Sequence, residues 1–167
     1  MVSGKSACIV GAGMTSFGKH VDRSLADLAS EALESALTAS GVEVEAVDLV
    51  VVANSMAGLL QGQESVRGQA VFADGRFASV PIINVENACA SGATAVKVAT
   101  WALQAGQASN VVVVGVEKLY HPDKSATFRA LASASDVGAS GEGSHSIFMD
   151  FYASRARDHM AAYGTTQ

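Results

Sequence analysis

Two segments, Asp48-Leu-Val-Val-Val-Ala-Asn54 and Asn110-Val-Val-Val-Val-Gly-Val116, carry apolar side chains on both faces of any pleat they form. Such strands have no face to offer water, so they belong inside a layered fold, running parallel with helices on both sides of the sheet. Parallel neighbours need a crossover of about a dozen residues or more, usually a helix. The spacing predicts one ahead of the first run. Ser24 is placed to cap a helix whose apolar positions Leu25, Leu28, Ala29, Ala32, Leu33, Ala36 and Leu37 recur at three and four residues, and Gly41 stands where the chain leaves it.

The same reading extends along the chain. Ala7-Cys-Ile-Val-Gly-Ala-Gly13 reads as a short buried strand entering a glycine turn, so that a βαβ unit begins the chain with Cys8 as a packed structural thiol. A glycine-bearing loop follows at Met56 to Gly62, then a helix over Glu64 to Phe72, and a strand over Val80 to Val85 whose early Pro81 suits a strand start or an edge. Ala90 to Gln104 reads as a helix of mostly small residues. Strands are thus expected near 6 to 13, 48 to 54, 81 to 86 and 110 to 116, which makes the fold class α/β with a mostly parallel sheet wrapped by helices. Glu117 to Ser146 loses periodicity for longer than a plain connection in a compact domain. Ile147 to Tyr163 regains helical spacing, and Gly164 ends it.

Composition removes several functions. Hydrophobic residues make up 49% of the 167 and charged ones 16%, which is the balance of a folded protein. Sixteen acidic residues against eleven scattered basic ones leave a charge of -5 and no run that follows a phosphate backbone, so nucleic acid is not expected as a partner. No apolar stretch is long enough to span a bilayer, and a cytoplasmic location without membrane association is expected. Two cysteines make no disulfide framework, and no metal-type spacing is present. Gly11-Ala-Gly13 is followed by Ser16 where a dinucleotide fingerprint needs its third glycine. His20, His121, His145 and His159 are dispersed and read as surface groups, with His145 the one closest to a possible lid segment.

Cys89 stands apart. It lies in Asn84-Val-Glu-Asn-Ala-Cys-Ala-Ser-Gly92, between an apolar strand and a helix, where unpaired backbone N–H groups and the helix dipole favour a thiolate over a thiol. Ala90, Ser91, Gly92 and Ala93 are small enough for a substrate or a neighbouring helix to approach closely. On chemistry alone, a reactive and a packed cysteine stay equally open.

Val85-Glu-Asn-Ala-Cys-Ala-Ser-Gly-Ala-Thr-Ala95 resembles the nucleophile motif of the thiolase superfamily, above all its sterol-carrier-protein and bacterial lipid-transfer types. Ala7 to Gly18, Gly62-Gln63, Val112 to Lys118, Phe148 to Tyr152 and His159 to Thr165 resemble that family in the same order. The resemblance implies the N-terminal half of a five-layer α/β/α/β/α protein, with a βαβ domain over 1–118 and the start of a loop region with one helix over 119–167. By the same resemblance, Cys89 takes the acyl group from an acyl-CoA, its own N–H contributing to an oxyanion hole, in 3-oxoacyl-CoA thiolysis or the reverse condensation. Coenzyme A is then a substrate, with no tightly bound cofactor and no metal. The family's activating histidine and second cysteine belong to a C-terminal half absent from this sequence, expected on a separate chain or a removed segment.

The resemblance further implies a homodimer or hetero-oligomer through the edge strand Pro81 to Glu86, and for some relatives a zinc-ribbon and OB-fold partner. Degradative thiolases commonly carry Asn three residues before the cysteine, where this chain has Glu86, as sterol-carrier-like bacterial members can. The alternatives are a ketoacyl-synthase-type condensing enzyme, an aldolase-type relative, or a non-catalytic scaffold that binds an acyl-CoA or a protein. Arg67, Arg76, Lys118 and Arg129 could meet a CoA phosphate, but solvated surface charge is the expected role of each.

Overall fold

The computed structural model describes residues 6–136 and 147–166. The chain divides into two compact units, Met1–Tyr120 and His121–Gln167. In the first unit the chain runs through α1 (Leu25–Ser40), β1 (Leu49–Ala53), two short helices α2 (Ala57–Gln61) and α3 (Arg67–Val71), β2 (Ile82–Val85), α4 (Ser91–Gln104) and β3 (Val111–Gly115). The second unit contributes α5 (Lys124–Ala132) and α6 (Ile147–Tyr163).

The sheet has three strands in the order β2-β1-β3, all parallel, with Val50 opposite Ile82 on one side and Val112 on the other. Every residue of β1 is buried, and the period-two alternation of a strand distributes them between two cores. Val50 and Val52 face Leu28, Ala29 and Leu33 of α1, with Val71, Phe72 and Phe77, while Leu49, Val51 and Ala53 face Ala95 and Ala99 of α4 and Val85. That is the α/β/α layering the doubly apolar strands require. Phe72 and Phe77 meet edge to face at 5.1 Å, a favoured aromatic geometry that closes the α1 side.

Local signals account for the element ends. Ser24 and Asp27 form a reciprocal capping box, Ser24 Oγ accepting from Asp27 N–H at 3.0 Å and the Asp27 carboxylate from Ser24 N–H at 2.7 Å. Gly41 is left-handed and returns its N–H to Leu37 O. Asp48 ties the start of β1 to the start of β3 by accepting from the N–H groups of Ser109 and Asn110 at 2.7 and 3.0 Å. Those two bonds, Asn110 first, hold its carboxyl below the usual Asp value.

One expected strand does not form. Residues 6 to 13 belong to no sheet, and β1 is flanked by β2 and β3. The segment instead lies along α1 through its glycines. A Cβ on Gly13 would stand 2.7 Å from Ala36 N and overlap Ala32 O, and one on Gly11 would stand 2.8 Å from Ser40 Cβ. The glycines therefore serve close approach to a helix backbone, with the chain's apolar side chains turned outward. Ile9 and Val10 are exposed, and Cys8, expected as a packed thiol, is exposed too. The loop expected at Met56 to Gly62 contains α2, and the helix expected over Glu64 to Phe72 is shortened to α3. The irregular stretch after Glu117 contains α5, capped by Asp123.

Because the obstructing atoms at Gly13 are backbone, they cannot step aside as a flexible side chain would. Gly13→Ala should destabilise the fold by about 1–3 kcal/mol in urea unfolding, whereas Gly18→Ala, whose nearest neighbour is His20 Nε2 at 3.7 Å, should change stability little. Equal stability of the two variants would show that the opening segment does not rest on α1.

Candidate functional site

Parallel strands joined by crossovers all end at the same edge of the sheet, and polar groups placed just beyond those ends are brought together whatever their distance in sequence. Here β1 delivers Asn54 and Ser55, β2 delivers Glu86, and β3 is followed by Val116 and Glu117. Asn54 is buried, and its amide donates to Val116 O at 2.7 Å and accepts from Ala57 N–H at 3.1 Å, so both ends of the side chain are satisfied. Glu117 reaches back across the same edge and accepts from the N–H groups of Ser55 and Met56. The Ser55 hydroxyl donates to Glu86 Oε1 at 3.0 Å. A chain of contacts, Glu117 to Ser55 to Glu86, thus runs along the strand ends.

Arg67 locks this arrangement from the side. Its Nη1 donates to Asn54 O and Ser55 O, both at 3.0 Å, and its Nε to Gln63 O at 3.2 Å. The solvated role expected for Arg67 is therefore corrected, since the side chain is only 18% exposed and spent on backbone carbonyls. Arg76 is likewise engaged, by Asp74 and Glu34 at 2.6 Å each, and Lys118 by the carbonyls of Val21 and Arg23. Of the four, Arg129 alone stands largely in solvent, with Asp123 at 3.8 Å. Between Arg67 and the end of β2 lies a cleft of about 330 Å³, lined among others by Asn54, Glu64, Val66, Asn84 and Glu86.

Cys89 sits at the centre of a tight turn at this edge. The chain leaves β2 at Val85, makes one 3-10 turn over Ala88–Ala90 and continues into the fourteen residues of α4. Glu86 Oε1 accepts from Ala88 N–H at 2.6 Å. Ser91 Oγ accepts from Asn87 N–H at 2.8 Å and donates to Ala88 O at 2.7 Å, and the Asn87 amide reaches Thr94 Oγ1 at 2.9 Å. Ala88 adopts φ +45°, a left-handed conformation that costs a residue with a Cβ about 1–3 kcal/mol. Cys89 itself is exposed. Ala90 N–H is bonded back to Asn87 O and Ser91 N–H to Ala88 O, so the Cys89 N–H falls in the first turn, where no intrahelical acceptor precedes it.

The histidines do not converge here. His20 Nε2 lies 2.7 Å from Ser16 O, His121 engages the backbone of Asp123, His159 stacks near Tyr163 at 4.8 Å, and His145 lies outside the described residues. Among the described residues no group of three His, Cys, Asp or Glu could hold a metal ion, and no helix is long and apolar enough to cross a membrane. Ser55 and Glu117 escaped the sequence reading, although each stands just past a doubly apolar strand, a position from which a polar residue reaches the site.

An exposed cysteine on a strand-to-helix turn, at the shared C-terminal edge of a parallel sheet, is the layout of α/β proteins that work through a thiol. This chain belongs to the thiolase family, matching the thiolase N-terminal domain over residues 7–163. It is 34% identical over 98% of its length to the acetyl-CoA acetyltransferase of Methanothermobacter thermautotrophicus, covering 42% of that protein, and 30% identical over 94% to sterol carrier protein 2 of Gallus gallus, covering 29%. Among solved structures, the Ltp2-ChsH2(DUF35) aldolase aligns over 99% of this chain and 41% of its own, with a TM-score of 0.67 and 23% identity, a likeness of fold. The chain therefore spans less than half the length of these relatives.

Glu117 makes the site sensitive to pH. Burial of its carboxylate, the largest influence, raises its pKa above the usual Glu value, with Glu86 adding and the Ser55 and Met56 N–H groups and Arg67 opposing. In the window just above the ordinary Glu value the folded state then holds more proton than the unfolded chain, so this group's contribution to stability declines as pH rises through it. Glu117→Gln keeps an acceptor and removes the titration. In urea unfolding at a series of pH values, wild type should lose stability relative to the variant as pH climbs through that window, and a constant difference would contradict the assignment.

Proposed function

We propose that this chain is the nucleophile-bearing half of a thiolase-like acyltransferase, in which Cys89 takes the acyl group of an acyl-CoA and passes it on. The observation that carries this reading is the turn itself, an exposed thiol at the start of α4, tied on both sides by Glu86 and Ser91, at the edge where three strands end. The name of the Methanothermobacter thermautotrophicus relative, acetyl-CoA acetyltransferase, supports the reaction class. In the proposed step the Cys89 sulfur attacks the thioester carbonyl, the Cys89 N–H stabilises the oxyanion that develops, and coenzyme A leaves as the thiol. An acyl-cysteine remains, and either coenzyme A or a carbon nucleophile removes it.

On this reading coenzyme A is a substrate, and the activating base and second acid come from a further polypeptide segment that covers α4. Val96 and Trp101 of α4 are exposed and apolar, as such a contact requires. The outer edge of β2, with Ile83 exposed beside it, is the proposed surface for a second subunit.

Incubated with acetyl-CoA in the presence of that further segment, the chain should gain the mass of one acetyl group, mapped to the peptide containing Cys89, and Cys89→Ala should abolish it while Cys8→Ser leaves it. Native mass spectrometry of the protein from its source should show a further thiolase segment, either continuous with this chain or travelling with it. Transfer only from an acyl carrier protein would point to the condensing-enzyme alternative, and no acylation at all, with the further segment present, would leave a binding scaffold.

A further inference from the structure

Ala88 stands in a conformation that glycine adopts freely and alanine does not, directly before the thiol. Its two backbone groups are both tied: the N–H goes to Glu86 Oε1 at 2.6 Å and the C=O receives Ser91 Oγ at 2.7 Å. Glu86 Oε1 also takes the Ser55 hydroxyl at 3.0 Å, and Ser55 is itself held by Glu117 through its N–H and by Arg67 through its C=O. The turn is thereby anchored to β1, the most buried strand of the molecule. We propose that Glu86 is a positioning residue for Cys89: one carboxylate oxygen, shared between Ala88 N–H and Ser55 Oγ, holds Ala88 left-handed and so sets the direction in which the thiol and its N–H face the substrate.

This rests on the reading of Cys89 as the acyl-accepting thiol and adds the residue that aims it. Both bonds land on Oε1, so the position calls for an acceptor of the right reach and not for a negative charge. The charged groups around it support that view. Glu117 lies beyond Ser55, and Glu64 and Arg67 line the cleft beside it, with the Arg67 guanidinium committed to the carbonyls of Asn54, Ser55 and Gln63. A carboxylate among these groups gains no direct ion pair, whereas the amide oxygen of glutamine at the same reach can accept both donors. Glu86→Gln and Glu86→Ala remove the same charge, and only the second removes the acceptor, so the difference between them reports positioning.

The experiment is carried out in a Cys8→Ser background, with the further thiolase segment present, and has two readouts. One is amide hydrogen exchange of Ala88, followed by NMR. The other is single-turnover acetylation of Cys89 over a range of acetyl-CoA concentrations. Glu86→Gln should keep Ala88 exchange and the limiting acetylation rate within about threefold of the parent. Glu86→Ala should speed Ala88 exchange at least about tenfold and lower the limiting rate by a similar factor, with the half-saturating concentration nearly unchanged. Ala88→Gly added to Glu86→Ala should recover several-fold in rate, because glycine takes the left-handed conformation without being held there.

A fall in Glu86→Gln as deep as in Glu86→Ala would overturn the proposal by showing that charge is what matters. So would unchanged Ala88 exchange in Glu86→Ala. If the parent is not acetylated at all while Ala88 exchange still follows the expected order, the acyl-transfer reading fails and the positioning of Cys89 stands. Should Glu86→Ala not fold, Glu86→Gln against the parent still decides between acceptor and charge.

Discussion

The burial of Leu49–Ala53 on both faces governs the rest of the molecule. Both faces of this strand have to be covered, so α1 packs on one and α4, the crossover from β2 to β3, on the other, and β1 takes a parallel neighbour on each side. Once the three strands are parallel, their C-terminal ends coincide. Asn54, Ser55, Glu86 and Glu117 meet there although they are separated by up to 63 residues in the chain (117 − 54), as the contacts of Asn54 with Val116 and of Ser55 with Glu117 require. The polar cluster is a consequence of hydrophobic burial elsewhere.

That origin explains which parts were legible before the structure. The two valine-rich strands, the capped helix ending at Gly41 and the helix after Cys89 are written in periodicity, a local property, and each stands as expected. The opening Ala7 to Gly13 carries the same apolar pattern as a buried strand, yet whether a segment pairs with a sheet or rests on a helix is a tertiary matter that no local pattern records. Its glycines looked like a turn and in fact meet a helix backbone. The place of Cys89 between a strand and a helix was legible because a helix start is a local feature too. Ser55 and Glu117 were not, since nothing in their neighbourhoods says that two residues 62 positions apart come into contact.

Arg67 carries the same lesson in electrostatic form. Read alone, an arginine three residues after Glu64 suggests a solvated charge; in the fold its guanidinium meets the carbonyls past the end of β1, where the chain turns into α2. A cation is well suited to that place because carbonyl oxygens past the last ladder bond have no partner of their own. Its counterpart on the donor side is Glu117, which takes the two N–H groups at Ser55 and Met56. The end of the central strand is therefore closed by one cation on its carbonyls and one anion on its amides.

This closure bears on what kind of turn can follow β2. Ala88 holds a conformation that opposes its own Cβ, and such strain persists only where the surroundings over-determine it. The surroundings here are Ser91 from the helix side and Glu86 from the strand side, and Glu86 is steadied by Ser55, whose backbone Arg67 and Glu117 hold. Each link is an ordinary hydrogen bond worth about 1 kcal/mol by itself. Their effect on the thiol comes from being in series, because a strained residue released at any link would relax and carry Cys89 with it. Rigidity at the cysteine is in this sense supplied by the buried valines of β1, transmitted through four polar side chains to a turn that has no core of its own.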